Sequence, residues 1–364
     1  MTPLGLRLAE TIRRHGPIGV DAFMAAALGD PEHGYYQTRD PLGAAGDFTT
    51  APEISQVFGE IIGLWLVDQW QQMGSPDPVQ LVELGPGRGT LLADLLRATA
   101  VLPAARSAIR LHLVETSPVL RERQAETLHR FHPDITPRWH DTLDTVPPGP
   151  LLLVANEFFD ALPIRQFQAQ DGVWHERLIG LGDEDGFAFT VGPAAAPPVP
   201  PPPAADGAIF ETAEPGLAVA RAIGVRLAAA PGAALLIDYG HGHTAAGETL
   251  QAVRAHRYAP VLADPGLADL TAHVDFAALA EALAAGGAET FGPVTQRGFL
   301  MANGVAQRVA ALTRSKAPEP AAAISHAVAR LLDPAQMGSL FKVLATTSPG
   351  RPVPSGFQRG SAAE

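Results

Sequence analysis

From Val79 onward, short apolar runs alternate with amphipathic ones, and this alternation restricts the chain to one kind of architecture. VQLVELG reads as a buried strand, GPGRG as a turn and TLLADLLRATA as a helix. IRLHLVE (109–115) supplies a second strand, PVLRERQAETLHRF a second helix, and ITPRWH a third, shorter strand. LLLVANE (151–157) and AALLIDYG (233–240) are apolar throughout, the pattern of strands covered on both faces. Such a β-α-β-α succession predicts an α/β fold with a Rossmann-like, doubly wound parallel sheet.

Around that core the sequence predicts additions. Residues 1–75 read as a helical extension with a cofactor-covering loop: LGLRLAETIRRH and VDAFMAAAL are helices, a Gly/Pro-rich stretch follows, and 53–74 forms one long helix. The core is expected over 76–348. It carries insertions at about 165–215 and 300–335, and a flexible tail at 349–364 follows it. In the first insertion, Asp171-Gly172 marks a hairpin turn, and the proline-rich 191–206 reads as an exposed, extended loop. One or two helices are expected across 302–333 and a last strand over 340–347.

The composition narrows the partners. Twenty-six basic residues against 38 acidic ones give a formal charge of −12, which argues against nucleic acid as the main partner. No apolar segment reaches the ~18–20 residues that span a bilayer, so no membrane association is expected. The opening MTPLGLRLAETIRRHGPIG lacks an apolar h-region and a small-residue cleavage site, and reads as a helix rather than a signal peptide. With no cysteine there are no disulfides or thiolate metal sites, and no metal is expected. These features lead to the expectation of a cytoplasmic (bacterial) or equivalent reducing compartment.

The turn after the first strand selects a ligand. A P-loop would need G-x-x-x-x-G-K-[ST], which is absent, and a dinucleotide fingerprint fails because Thr90 stands where its third glycine belongs. What is present is E-x-G-x-G-x-G, formed by Glu83, Gly85, Gly87 and Gly89, with Pro86 in the turn. Alternate glycines let a ligand lie against the backbone. The preceding carboxylate repels phosphate and attracts a cation, and S-adenosylmethionine, with a sulfonium, an ammonium and no phosphate, fits better than NAD or ATP. Glu115, ending the second strand, is placed to take the ribose hydroxyls. Asp141, in the turn after the third strand, either accepts from the adenine amino group or caps a helix.

The fourth strand ends in ANEFFDALP (155–163), at the edge of the sheet where open α/β folds place their chemistry. Two arrangements are consistent with it. Asn156 and Phe159 match the ends of the N-P-P-Y motif of amino-group methyltransferases, although both prolines are missing. Alternatively, Glu157 and Asp160 clamp a guanidinium through a bidentate fork. Asn156 and Asp160 could equally cap a following helix.

GYYQTRDPLGAAGDFTTAPEISQVFGE (34–60), VELGPGRGT, NEFFDALPIRQF (156–167) and LTAHVDF (270–276) resemble the signature segments of the MidA-type methyltransferases, over about residues 5–347. That family includes a mitochondrial complex I assembly factor that methylates arginine. The resemblance implies a class I methyltransferase fold, S-adenosyl-L-methionine as cofactor, and a protein substrate such as a subunit of respiratory complex I, converted to symmetric dimethylarginine. It also directs Asp47, Thr49, Thr50, Glu53 and Ser55 toward the cofactor or acceptor, although Thr50-x-x-Glu53 equally reads as a capping box. In LTAHVDF, Thr271 caps a helix or His273 and Asp275 line an acceptor pocket, with His273 a candidate proton acceptor.

The competing functions are a methyltransferase of a small molecule or other non-arginine acceptor, and a cofactor-binding assembly chaperone without activity. The oligomeric state is open, and a homodimer is compatible with the sequence.

Overall fold

A computed structural model describes residues 1–38, 50–183 and 186–358. Asp47 and Thr49 lie outside the described residues, whereas Thr50, Glu53 and Ser55 lie within them.

The central sheet has eight strands: β1 (Val79–Leu84), β2 (Ile109–Val114), β3 (Arg138–His140), β4 (Leu151–Asn156), β5 (Gly232–His241), β6 (Val274–Asp275), β7 (Glu289–Thr295) and β8 (Phe341–Thr347). Their order is β7-β8-β5-β4-β1-β2-β3, with the short β6 alongside the end of β5. Strands β1 to β5 run parallel, and β8 is antiparallel to both β5 and β7. The strand order reverses between β1 and β4, so a crevice opens at their carboxyl ends.

Side chains of β4 alternate between two cores, as strand geometry requires. Leu152 and Val154 join the layer of helices 56–72, 90–99 and 296–332. Leu151, Leu153 and Ala155 meet helices 214–229 and 276–285 on the other face. Because both faces are covered, β1 and β4 are buried along their whole length.

A second, five-stranded sheet pairs Arg165–Gln170, Val173–Leu181, Phe187–Ala194 and Ile209–Thr212 with the N-terminal Ile18–Gly19. The expected hairpin is there, with Asp171 and Gly172 both at positive φ (51° and 75°), as a type I′ turn demands. Helices Pro3–His15 and Val20–Gly29 pack on this sheet in a third apolar core. A three-stranded ribbon (Gln251–Arg254, Arg257–Ala259, Asp269–Thr271) adds to that core. Nothing in QAVRAHRYA alternates clearly enough to announce this ribbon.

Two expectations require correction. The long helix at 53–74 is two, Ala51–Ile54 and Gln56–Gln72, broken by an extended Ser55 whose hydroxyl accepts the Val57 N–H at 3.3 Å. Two helices, 305–313 and 318–332, fill the stretch expected to hold one or two, and a further one at 296–302 precedes them. The tail is packed as far as residue 358: Trp65 Nε1 donates to Ser355 O at 3.1 Å, and Phe357 lies against Phe299. Its anchors are an indole and an aromatic pair, which local composition does not reveal.

Candidate active site

Between the N-terminal layer and the carboxyl ends of β1, β2 and β4 lies a cleft of ≈ 380 Å³. Its floor is the loop after β1. Gly85, Gly87 and Gly89 all have positive φ (60°, 53° and 78°), the backbone region that glycine alone enters without cost. A Cβ at Gly85 would also stand 2.9 Å from Cδ2 of Phe158. Glu83, Gly85, Pro86, Gly87, Glu115, Thr50, Glu53, Asn156 and Glu157 line this cleft.

Four of those residues are carboxylic acids, and their surroundings differ. Glu83 is 2% exposed, its Oε2 has no hydrogen-bond partner, and burial pushes its carboxyl up to about 8. A buried, unsatisfied oxygen beside a cleft is costly unless a ligand completes it. Glu115 is also raised by burial, but less freely: Ser117 N donates to Oε1 at 2.8 Å and Gln124 Nε2 to Oε2 at 3.1 Å. Glu53 accepts from Thr90 Oγ1 at 2.5 Å, which ties the N-terminal segment to the helix after the glycine loop. Thr50 makes no side-chain capping bond, so the capping-box reading of Thr50 and Glu53 fails.

Glu157 occupies the left-handed region at φ 50°, a strained conformation for a residue with a side chain. Four hydrogen bonds hold the turn in place. The Glu157 N–H donates to Ile237 O at 2.9 Å, and the N–H groups of Phe158, Phe159 and Asp160 all converge on Asp238 Oδ2 at 3.0–3.2 Å. Burial and the nearby Asp160 push the Glu157 carboxyl up to about 7. Oε1 of Glu157 accepts from Asn156 Nδ2 at 3.2 Å, which orients that amide and leaves the buried Asn156 Oδ1 without a partner.

Several sequence-based expectations are not met here. Asp160 does not line the cleft; it is buried behind it with Asp238, and burial raises its carboxyl above the ordinary range. A two-carboxylate clamp of Glu157 with Asp160 is therefore not assembled. Phe158, not Phe159, faces the cleft, since Phe159 is sunk in the core beneath. No helix follows Asn156, so neither it nor Asp160 is a cap. His273 lines a separate narrow cavity with Glu211 and Asp275, its ring edge-on to Tyr239 at 5.5 Å. His273 is absent from the residues that line the cleft, so it is not placed to take a proton there. Asp275, not Thr271, caps the following helix, accepting the Ala278 N–H at 3.0 Å. Asp141 is exposed and held by Arg121 at 2.6 Å, apart from the lining residues, and Gly89 lies just behind them as the helix N-cap.

Three residues of the site were not singled out beforehand. Tyr36 lines the cleft, its hydroxyl donating to Asp269 at 2.9 Å. Asp238 organises the turn after β4. Gln124, fully buried, bonds both Glu115 and Gly87 O. Only the short strand motif around Asp238 offered a signal, as a polar residue ending an apolar run.

A cleft with four acids, an orphaned carboxyl oxygen and a glycine-rich floor suits a ligand that carries positive charge and presses close to the backbone. Comparison with known proteins agrees. A family model of S-adenosyl-L-methionine-dependent methyltransferases (Methyltransf_28) matches residues 61–294. The mitochondrial protein arginine methyltransferase NDUFAF7 of Danio rerio is 37% identical over 367 residues, covering 94% of this chain and 86% of its own. The human protein of that name is 34% identical over 387 residues, covering 99% and 87%. A crystal structure of a COG1565 superfamily member from Burkholderia thailandensis, bound to S-adenosyl-homocysteine, shares 29% identity. Its TM-score is 0.83, over 98% of this chain and 95% of that one. The relatives' names are mitochondrial, which corrects the expectation of a cytoplasmic location. A lack of cysteine fits any compartment and cannot tell these apart.

Proposed function

Because this chain belongs to the family of S-adenosyl-L-methionine-dependent methyltransferases, we propose that it methylates an arginine side chain of a protein substrate, as the names of its relatives state for them. Bound in the cleft, the cofactor supplies an electrophilic methyl group. Everything else falls to the protein.

Glu83, Glu115 and the glycine loop are the residues we assign to holding the donor. The orphaned Oε2 of Glu83 would receive the donor's ammonium, and Glu115 the ribose hydroxyls. Glu53 and Thr50 would close over it from the N-terminal segment. Our reading of the acceptor site rests on one observation: Asn156 Oδ1 is buried, unpartnered and fixed beside the Glu157 carboxyl. A guanidinium presents several N–H donors in one plane, and these two acceptors can take them together. Glu157 would orient the reacting nitrogen and localise the positive charge away from it, so catalysis comes from positioning and electrostatics. A complex I subunit is the acceptor that the family resemblance favours.

The test is incubation of purified protein with methyl-labelled S-adenosylmethionine and lysate, followed by identification of the labelled residue. Label on arginine supports the proposal. Label only on a small molecule, or on no acceptor at all while the donor binds, would overturn it in favour of a different substrate or a non-catalytic role.

A further inference from the structure

We propose that Gln124 is a positioning residue for the methyl-donor site, fixing the glycine loop, the ribose-binding acid and the third strand relative to one another. The inference rests on the reading of the cleft as the donor site and is independent of which acceptor is methylated.

Gln124 sits on helix Pro118–Phe131 and is completely buried, on the inward face between Leu120 and Leu128. Its amide makes three hydrogen bonds, and their directions are forced. Trp139 Nε1, which can only donate, lies 2.8 Å from Gln124 Oε1. The oxygen therefore faces β3, and both amide hydrogens face the other way. They meet two acceptors, Gly87 O at 2.8 Å and Glu115 Oε2 at 3.1 Å. One side chain thus bridges the ends of β1, β2 and β3. The helix packs directly over Gly89, where an added Cβ would lie in van der Waals contact with Gln124 Cα at 3.4 Å. Thr127, one turn further on, adds a bond to Arg88 O at 2.9 Å.

Two consequences follow for the site. Donation to Glu115 favours its ionised form, against the burial that raises it. Holding the Gly87 carbonyl against the helix turns the N–H of the same peptide to the opposite side, since the peptide is planar and trans. No other polar group available in the fold makes both bonds at once among the described residues.

The test is titration of S-adenosyl-homocysteine by calorimetry into wild type, Q124E and Q124M at pH 6 and pH 8, with circular dichroism to verify folding. In Q124E a carboxylate would face Glu115 and the Gly87 carbonyl. Its affinity relative to wild type is expected to fall about tenfold or more at pH 8 and to recover largely at pH 6, where a proton restores one donor. Q124M has no donor at either pH, and its loss should be similar at both. The proposal is overturned if Q124M, or a folded Q124E at pH 8, binds within twofold of wild type, or if the loss in Q124E is the same at both pH values. If wild type itself fails to bind, the donor-site reading falls, and this inference with it.

Discussion

The carboxylate of Glu157 accepts the backbone N–H of Ala51 at 3.3 Å, joining the end of β4 to the segment that leads into the long N-terminal helix. The same oxygen accepts from Asn156. An incoming guanidinium would therefore find this carboxyl already oriented, with one oxygen engaged.

Replacing Glu157 by Gln should leave donor affinity within about twofold of wild type and lower kcat by about 10²-fold or more, a loss in the range seen for removal of one charge-stabilising group. The pH profile should show the same group. With the carboxyl raised to about 7, kcat/KM is expected to fall as pH is lowered through about 7, because protonation removes the charge. A flat profile between pH 6 and 8 would exclude this role.

Glu83 carries a stability signature. Its folded pKa, about 8, lies above the ordinary 4.5, so between those values the folded chain holds a proton that the unfolded chain does not. Stability without ligand should therefore decline as pH rises from about 5 to 8, by an amount on the order of a few kcal/mol from this group. Glu83→Gln should flatten that decline in thermal melts. Donor binding should ionise Glu83 and release about one proton at pH 7, a release seen as a buffer-dependent calorimetric enthalpy and missing in Glu83→Gln.

At Gly85 an alanine meets two obstacles at once, a φ of 60° and a phenyl carbon 2.9 Å from its methyl. Gly85→Ala is expected to cost about 1–3 kcal/mol in denaturant titrations and to weaken donor binding at least tenfold. Gly172→Ala, at a hairpin turn with open space around it, should cost stability without touching donor affinity.

Asp238→Ala would leave three consecutive N–H groups, two of them buried, without their shared acceptor. We expect a loss of about 3 kcal/mol or more, together with loss of transfer even where the protein remains folded, because nothing then holds Glu157 at its strained φ. Retention of full activity in a folded Asp238→Ala would show that the turn is held by other means.

How far the sequence reveals this site can be judged residue by residue. Glu83, the glycines and Glu115 were legible because they punctuate apolar strands, and an open parallel sheet brings strand ends together whatever the loops do. The positions after β4 were legible only as a group. Spacing cannot say which way side chains leave a strand once it enters a turn, so Phe158 and Phe159, or Glu157 and Asp160, could not be told apart. The turn's direction is set by Asp238, 78 residues beyond Asp160 in the chain. Gln124 stands four residues from Leu120 and four from Leu128, so helical spacing puts it on the buried face; what spacing could not show is its partners, which come from the ends of other strands.

The N-terminal helices share one apolar core with the inserted sheet and the ribbon: Leu4, Phe23 and Tyr35 are packed in with Ile164, Ile179 and Leu270. A wall anchored this way cannot swing as a flap about one pivot. Moving it means uncovering side chains from three remote stretches together, at about 1.5–3 kcal/mol apiece. Exchange of spent for fresh donor is thereby steered to the mouth of the crevice, and the wall serves as a fixed jaw.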